Sequence, residues 1–204
     1  MEAFWGRSRL PARLQRTGAK MAEESDDRRL IITILLVSTL LTMLGVAGVS
    51  VGASDLSLAP IPADASELYE EGNELSAIQL EMIEVWVSNP YRRPMAAANV
   101  VVSGLVLIGS FLLSWRRKLA QWWIKQAVAA KLIWIVAYTT LLSQHIERSL
   151  PSSLLDEAET TVSAIVSVLI MLGVVNGGLH IAAAYRATRP DIARFIEKSA
   201  KERS

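Results

Sequence analysis

The chain has no cysteine. That excludes disulfides, thiolate metal sites, haem attachment through cysteine and thiol catalysis together. Its two histidines, His145 and His180, are too few for a histidine-rich metal centre. No phosphate-binding loop, nucleophile elbow, HExxH motif, glycine-rich dinucleotide turn or EF-hand spacing occurs. The nearest imitation, His145-Ile146-Glu147, lies at a helix end with no second histidine nearby and reads as solvated loop. Net charge is only +1, without the concentrated basic face that nucleic-acid binding needs. No catalytic residue, cofactor, metal or nucleic-acid partner is therefore expected, and the chain reads as a non-enzyme.

Acids and prolines are also missing from four long apolar runs: Leu30 to Val51, Met95 to Ser114, Gln126 to Gln144 and Thr160 to Tyr185. A bilayer core requires about 20 predominantly apolar residues per helical crossing, and each run meets or nearly meets that length. Little apolar sequence remains for a soluble core. The expected fold is all-α: a polytopic, four-helix transmembrane bundle with an extra amphipathic helix on the non-cytoplasmic side. Its lipid bilayer and other membrane proteins, or a second copy of itself, are the expected partners.

Basic residues near helix ends are retained on the cytoplasmic side, whereas acids count for little. Residues 1–29 carry Arg7, Arg9, Arg13, Arg16, Lys20, Arg28 and Arg29. Residues 115–125 hold Arg116, Arg117, Lys118 and Lys125 with no acid, and the tail 186–204 is again basic. By contrast, 54–94 is acidic, with only Arg92 and Arg93, and 145–159 has only Arg148. The pattern predicts spans at 30–53, 95–114, 126–144 and 160–185 in the cell (inner) membrane, with both termini cytoplasmic. Trp115, Trp122 and Trp123 flank the basic connection where an interfacial aromatic belt is expected.

The first run could act as a signal peptide, with Val51 and Ala53 before a cleavage at Ser54. However, its apolar stretch exceeds the usual 7–15 residues, so an uncleaved anchor is preferred. Met21 begins MAEESDDRRL and reads as a natural start, making 1–20 a start-site extension or a disordered tail. Competing readings are a basic surface helix (Phe4, Trp5, Leu10, Leu14), for which Pro11 sits badly, and an arginine-rich targeting peptide.

Within the acidic segment, residues 66–87 have helical pattern, with Ser66 as cap, Glu67, Glu70 and Glu71 in the first turn, and Leu75, Ile78, Met82 and Trp86 on one face. Such a helix lies in the interface or on top of the bundle. As a docking surface it would use Trp86 as anchor, with Glu81 and Glu84 steering a partner. Divalent-cation binding by Glu70/Glu71 or Glu81/Glu84 is the weaker reading, because these spacings are common on solvated helices.

Polar residues in lipid need partners and so point to function. Lys131 lies about 8 Å in from Gln126, close enough to snorkel back to the basic surface. Gly173, Asn176 and His180 share a face of the fourth span. A Lys131–Asn176–His180 cluster is geometrically open to the chain. It would serve helix registry or, alternatively, a proton or ion relay. Headgroups of anionic lipids are expected near Arg116, Arg117, Lys118 and Arg186. Gly48/Gly52 and Gly173/Gly177 form GxxxG steps. Ser38, Thr42 and Gly45 line the first helix, and Ser103, Ser110 and Ser114 the second. These seams permit close helix approach within or between chains. The tail is expected to be helical from about Arg189 and to rest on the anionic leaflet through Ile192 and Phe195.

These features predict an accessory, assembly or scaffold subunit of a membrane complex. The alternative is a small channel or carrier subunit using the Lys131, Asn176 and His180 cluster.

Overall fold

In the computed structural model, residues 12–58, 85, 87–149 and 152–201 are described, with side chains for 21, 24–58, 85, 87–149 and 163–201. Among the described residues five helices follow one another: α1 (Ala12–Ser57), α2 (Arg92–Ser114), α3 (Ala120–Ser149), α4 (Ser152–Ala187) and α5 (Pro190–Lys201). No strand occurs among the described residues. Long helices follow from the solvent: in lipid, backbone N–H and C=O groups must bond internally, and a helix does this within one segment. The first four are long and apolar enough to cross a membrane, over Glu24–Ser57, Arg92–Ser114, Ala120–Ser149 and Ser163–Ala187.

Consecutive helices pack side by side, α1 on α2 most extensively, then α2 on α3 and α3 on α4, while lighter α1–α4 contacts close the four-helix bundle. Small residues let α1 and α2 approach closely. A Cβ at Gly48 would collide with the Ser103 hydroxyl, and one at Gly52 would come within 2.8 Å of the Ala96 carbonyl. The Gly48/Gly52 step is thus spent inside the chain. Gly173 and Gly177 face Thr139 and Leu132 of α3.

Local chemistry sets the helix ends. The Asn89 side chain accepts from the Tyr91 amide at 2.9 Å, turning the chain into α2, and Pro94 sits in a first turn whose amides have no helical acceptor anyway. At the other end Arg116 adopts a left-handed backbone (φ 52°). Its amide donates to Leu113 and that of Arg117 to Leu112, the paired bonds of a Schellman cap. Beyond α4, Pro190 and Asp191 start α5, whose Ile192, Phe195 and Ile196 are buried.

The main apolar core lies at the α5 end, joining Ile34, Val37 and Leu41 of α1 to Leu113, Ile124, Val128, Ala183 and these α5 residues. The tail therefore caps the bundle, correcting the expectation that Ile192 and Phe195 rest on the leaflet. Burying them against protein removes the same apolar area from water without depending on lipid. Lys198 pairs with Asp27 at 3.1 Å, so the N-terminal part of α1 and α5 meet at one end. A smaller cluster, Val85, Leu142 and Ile146, occupies the opposite end.

The sequence expectation of a connection over 145–159 is also corrected. α3 continues to Ser149 and α4 starts at Ser152, because Glu, Ser and Arg at a membrane edge do not break a helix. The expected helix 66–87 lies outside the described residues except for positions 85 and 87.

Candidate functional site

Among the described residues Lys131 is the largest fully buried side chain, with 1% of its surface exposed. It sits on α3, whose span has the lowest mean hydropathy of the four. Rather than snorkelling, it crosses to α2. Its Nζ donates to Asn99 Oδ1 and, at 2.9 Å, to Ser103 Oγ. The indole of Trp134, one turn along α3, lies 4.3 Å from the ammonium. Two hydrogen bonds and a π face thus match the three N–H directions of an ammonium group.

The partners are themselves held. Asn99 donates to the Gly48 carbonyl at 3.0 Å, and Ser103 donates to Asn99 Oδ1 at 3.2 Å. Gly48 makes the arrangement possible, since a Cβ there would also lie 3.0 Å from the Lys131 Nζ. α1, α2 and α3 therefore meet in one polar layer. Counting 1.5 Å per residue from the α2–α3 turn, Ser103 and Lys131 lie at about 16 Å and Asn99 at about 22 Å. The ammonium sits in the interior of the span, away from the basic end. The network must recover the large desolvation cost of such a cation.

His180 does not join this layer through a hydrogen bond. It is 1% exposed, and its Nδ1 donates to the Asn176 carbonyl one turn earlier at 2.9 Å. That fixes Nε2 as the lone-pair nitrogen of the neutral ring, and among the described residues it has no hydrogen-bond partner. Asn176 instead lines an α3–α4 groove of about 190 Å³ with Trp134, Tyr138 and Gly173. The expected Lys131–Asn176–His180 cluster is thus replaced, for Lys131, by Asn99 and Ser103. The reason is reach: the α1–α2 seam is glycine-tight and presents an amide and a hydroxyl one turn apart. The signal was legible, as Asn99 is the one amide in the second apolar run.

Other expected residues scatter. Trp86, Glu81 and Glu84 lie outside the described residues. Arg186 is engaged by Asp191 at 3.0 Å, and Arg116 stacks 5.2 Å over the Phe195 ring. Arg117 and Lys118 are exposed. Burial opposes ionisation of Asp191, but bonds from Arg186 and from the Ile192 amide outweigh it and hold the carboxyl below the usual range. His145 is no solvated loop residue: its Nε2 donates to the Val85 carbonyl at 3.0 Å, pinning the outer segment to α3. At the same end, the buried Arg92 donates to the Asp55 and Leu58 carbonyls and closes α1 onto α2. Two tryptophans add cross-helix bonds to α2, Trp123 to the Leu105 carbonyl and Trp134 to that of Met95.

No protein family, curated protein or solved structure matches this chain.

The layer is chemically closed. Each donor of Lys131 faces an acceptor or a ring, and its partners bond one another or backbone. Such a set can hold three helices in register. Moving an ion or proton through it would require the Asn99 and Ser103 bonds to break.

Proposed function

We propose that this multi-pass membrane protein is a non-catalytic accessory, assembly or scaffold subunit of a membrane complex in the cell (inner) membrane, with both termini cytoplasmic. The observation that carries this reading is the contrast between α2 and α4. Of the most apolar stretch of α2, 39% is buried within the chain, but only 11% of that of α4. Met171, Val174, Val175 and Ile181 all point outward from α4, beside Gly178, where an added Cβ would meet nothing within 4 Å. An apolar helix face with a small-residue gap is the kind of surface on which a second membrane helix packs.

Purification in mild detergent followed by identification of bound proteins tests the proposal. A stable complex that Gly178→Trp dissociates, while the isolated chain keeps its melting temperature, is the expected result. A monodisperse chain with no bound protein sinks it.

A small channel or carrier subunit is the second reading. It is favoured by one feature, the buried lone pair of His180 on the helix next to Lys131. Under it, flux through reconstituted vesicles would vanish in Lys131→Met or His180→Leu while the protein still inserted.

A further inference from the structure

The turn between α2 and α3 holds a group of residues that helix packing leaves unused. α2 has 23 residues and is therefore about 34 Å long, close to the bilayer hydrocarbon thickness of about 30 Å. Its two ends are consequently pinned to the two interfaces, whichever way the chain is oriented. At the Schellman-capped end lies an open cleft of about 500 Å³ lined by Ser114, Trp115, Arg116 and Arg117. Below it, Phe111 and Trp115 form an outward-facing aromatic pair with ring centroids 6.2 Å apart, and Leu119 and Trp122 are similarly exposed.

Charge separates this cleft from its neighbour. A second one, of about 170 Å³ between the turn and α5, is lined by Lys118 and Gln121 but also by Glu197. Among the described residues the first has no acid in its lining. Because the Arg116 guanidinium is held over Phe195, the exposed Arg117 is the cation presented there. The start of α3 adds the partial positive charge of a helix N-terminus. A cation at the interface above an exposed aromatic pair fits an amphiphile: phosphate against Arg117, acyl chain along Trp115 and Phe111.

We infer that the α2–α3 turn is a binding site for one anionic phospholipid, with Arg117 as the headgroup contact, Lys118 as a weaker second charge and Trp115 as the platform.

The test uses the full chain in nanodiscs of phosphatidylcholine containing a minority of phosphatidylglycerol, one lipid or the other carrying brominated acyl chains. The Trp115 signal is isolated by difference from Trp115→Phe. Brominated phosphatidylglycerol should quench Trp115 beyond its share of the bilayer. Each basic side chain near the surface is worth about five-fold in occupancy. Arg117→Gln should therefore lower the enrichment about five-fold, Arg117→Gln with Lys118→Gln should abolish it, and Arg117→Lys should retain most of it. Equal quenching by the two lipids overturns the inference, as does enrichment that survives the double substitution. Displacement by millimolar inorganic phosphate would also overturn it, making free phosphate the ligand. Both side chains are exposed, and an unchanged melting temperature checks that the variants remain folded.

Discussion

At the scale of single residues, Lys131 shows how a charged side chain can be buried with no acid beside it among the described residues. Its bonds to Asn99 and Ser103 and its seat on Trp134 replace hydration. Such a group contributes specificity more readily than net stability, because an apolar side chain of similar volume avoids the desolvation cost. Lys131→Met is expected to stay within about 1 kcal/mol of the parent. Lys131→Ala, which leaves a cavity beside Asn99 and Ser103, should lose about 2–4 kcal/mol. Denaturation in detergent micelles measures both. If the two variants fall equally far, the charge itself holds the bundle, and the registry account fails. Residue identity was readable here in part: a lysine in the third span was evident, but its direction depended on Asn99, which belongs to another helix.

At the scale of elements, glycines divide into those used inside the chain and those facing outward. Gly48 lies against Ser103 and Lys131, whereas Gly104 and Gly178 have open space where a Cβ would go. Gly48→Ala should cost about 1–3 kcal/mol by forcing α1 from α2. Gly178→Ala should be neutral, or stabilising by up to about 1 kcal/mol through helix propensity. Comparing melting temperatures decides the matter, and a harmless Gly48→Ala would refute the close α1–α2 seam. The GxxxG spacing announced that close packing occurs but not against which helix. For α5, the depressed Asp191 carboxyl sets a pH window. Its folded value lies below the unfolded one, so its contribution to docking is present above the ordinary aspartate range and lost as pH falls through the folded value. The protection of α5 amides, measured against the free-chain exchange rate at each pH, should thus be unchanged between neutral and mildly acidic pH and should fall only in stronger acid. Early loosening near neutrality would assign the docking to other groups.

At the scale of the whole molecule, four crossings and the Asp27–Lys198 bond bring the N-terminal part of α1 and α5 to one end. The distribution of arginine and lysine predicts that this end is cytoplasmic. Reporter fusions after Ser204 and near Asp64 should respond on opposite faces of the membrane, with Ser204 inside. An outside signal at Ser204 would reverse the orientation. The layers within the bundle follow a simple order: an apolar core under the α5 cap, the polar layer of Lys131, and a small cluster where Val85 meets Leu142 and Ile146.

Length and periodicity of apolar residues were enough to define four crossings and the all-α class, because the bilayer imposes helix and span length on any such run. Helix partners were not legible in the same way. Whether Lys131 turns to α2 or α4, whether the tail rests on lipid or on protein, and where a loop ends are contests between neighbours of nearly equal free energy. Asn99 and Ser103 won Lys131 by proximity across a glycine seam, and the bundle end won Ile192 and Phe195 by offering a preformed apolar surface. Those outcomes depend on distances between helices, which no single run contains.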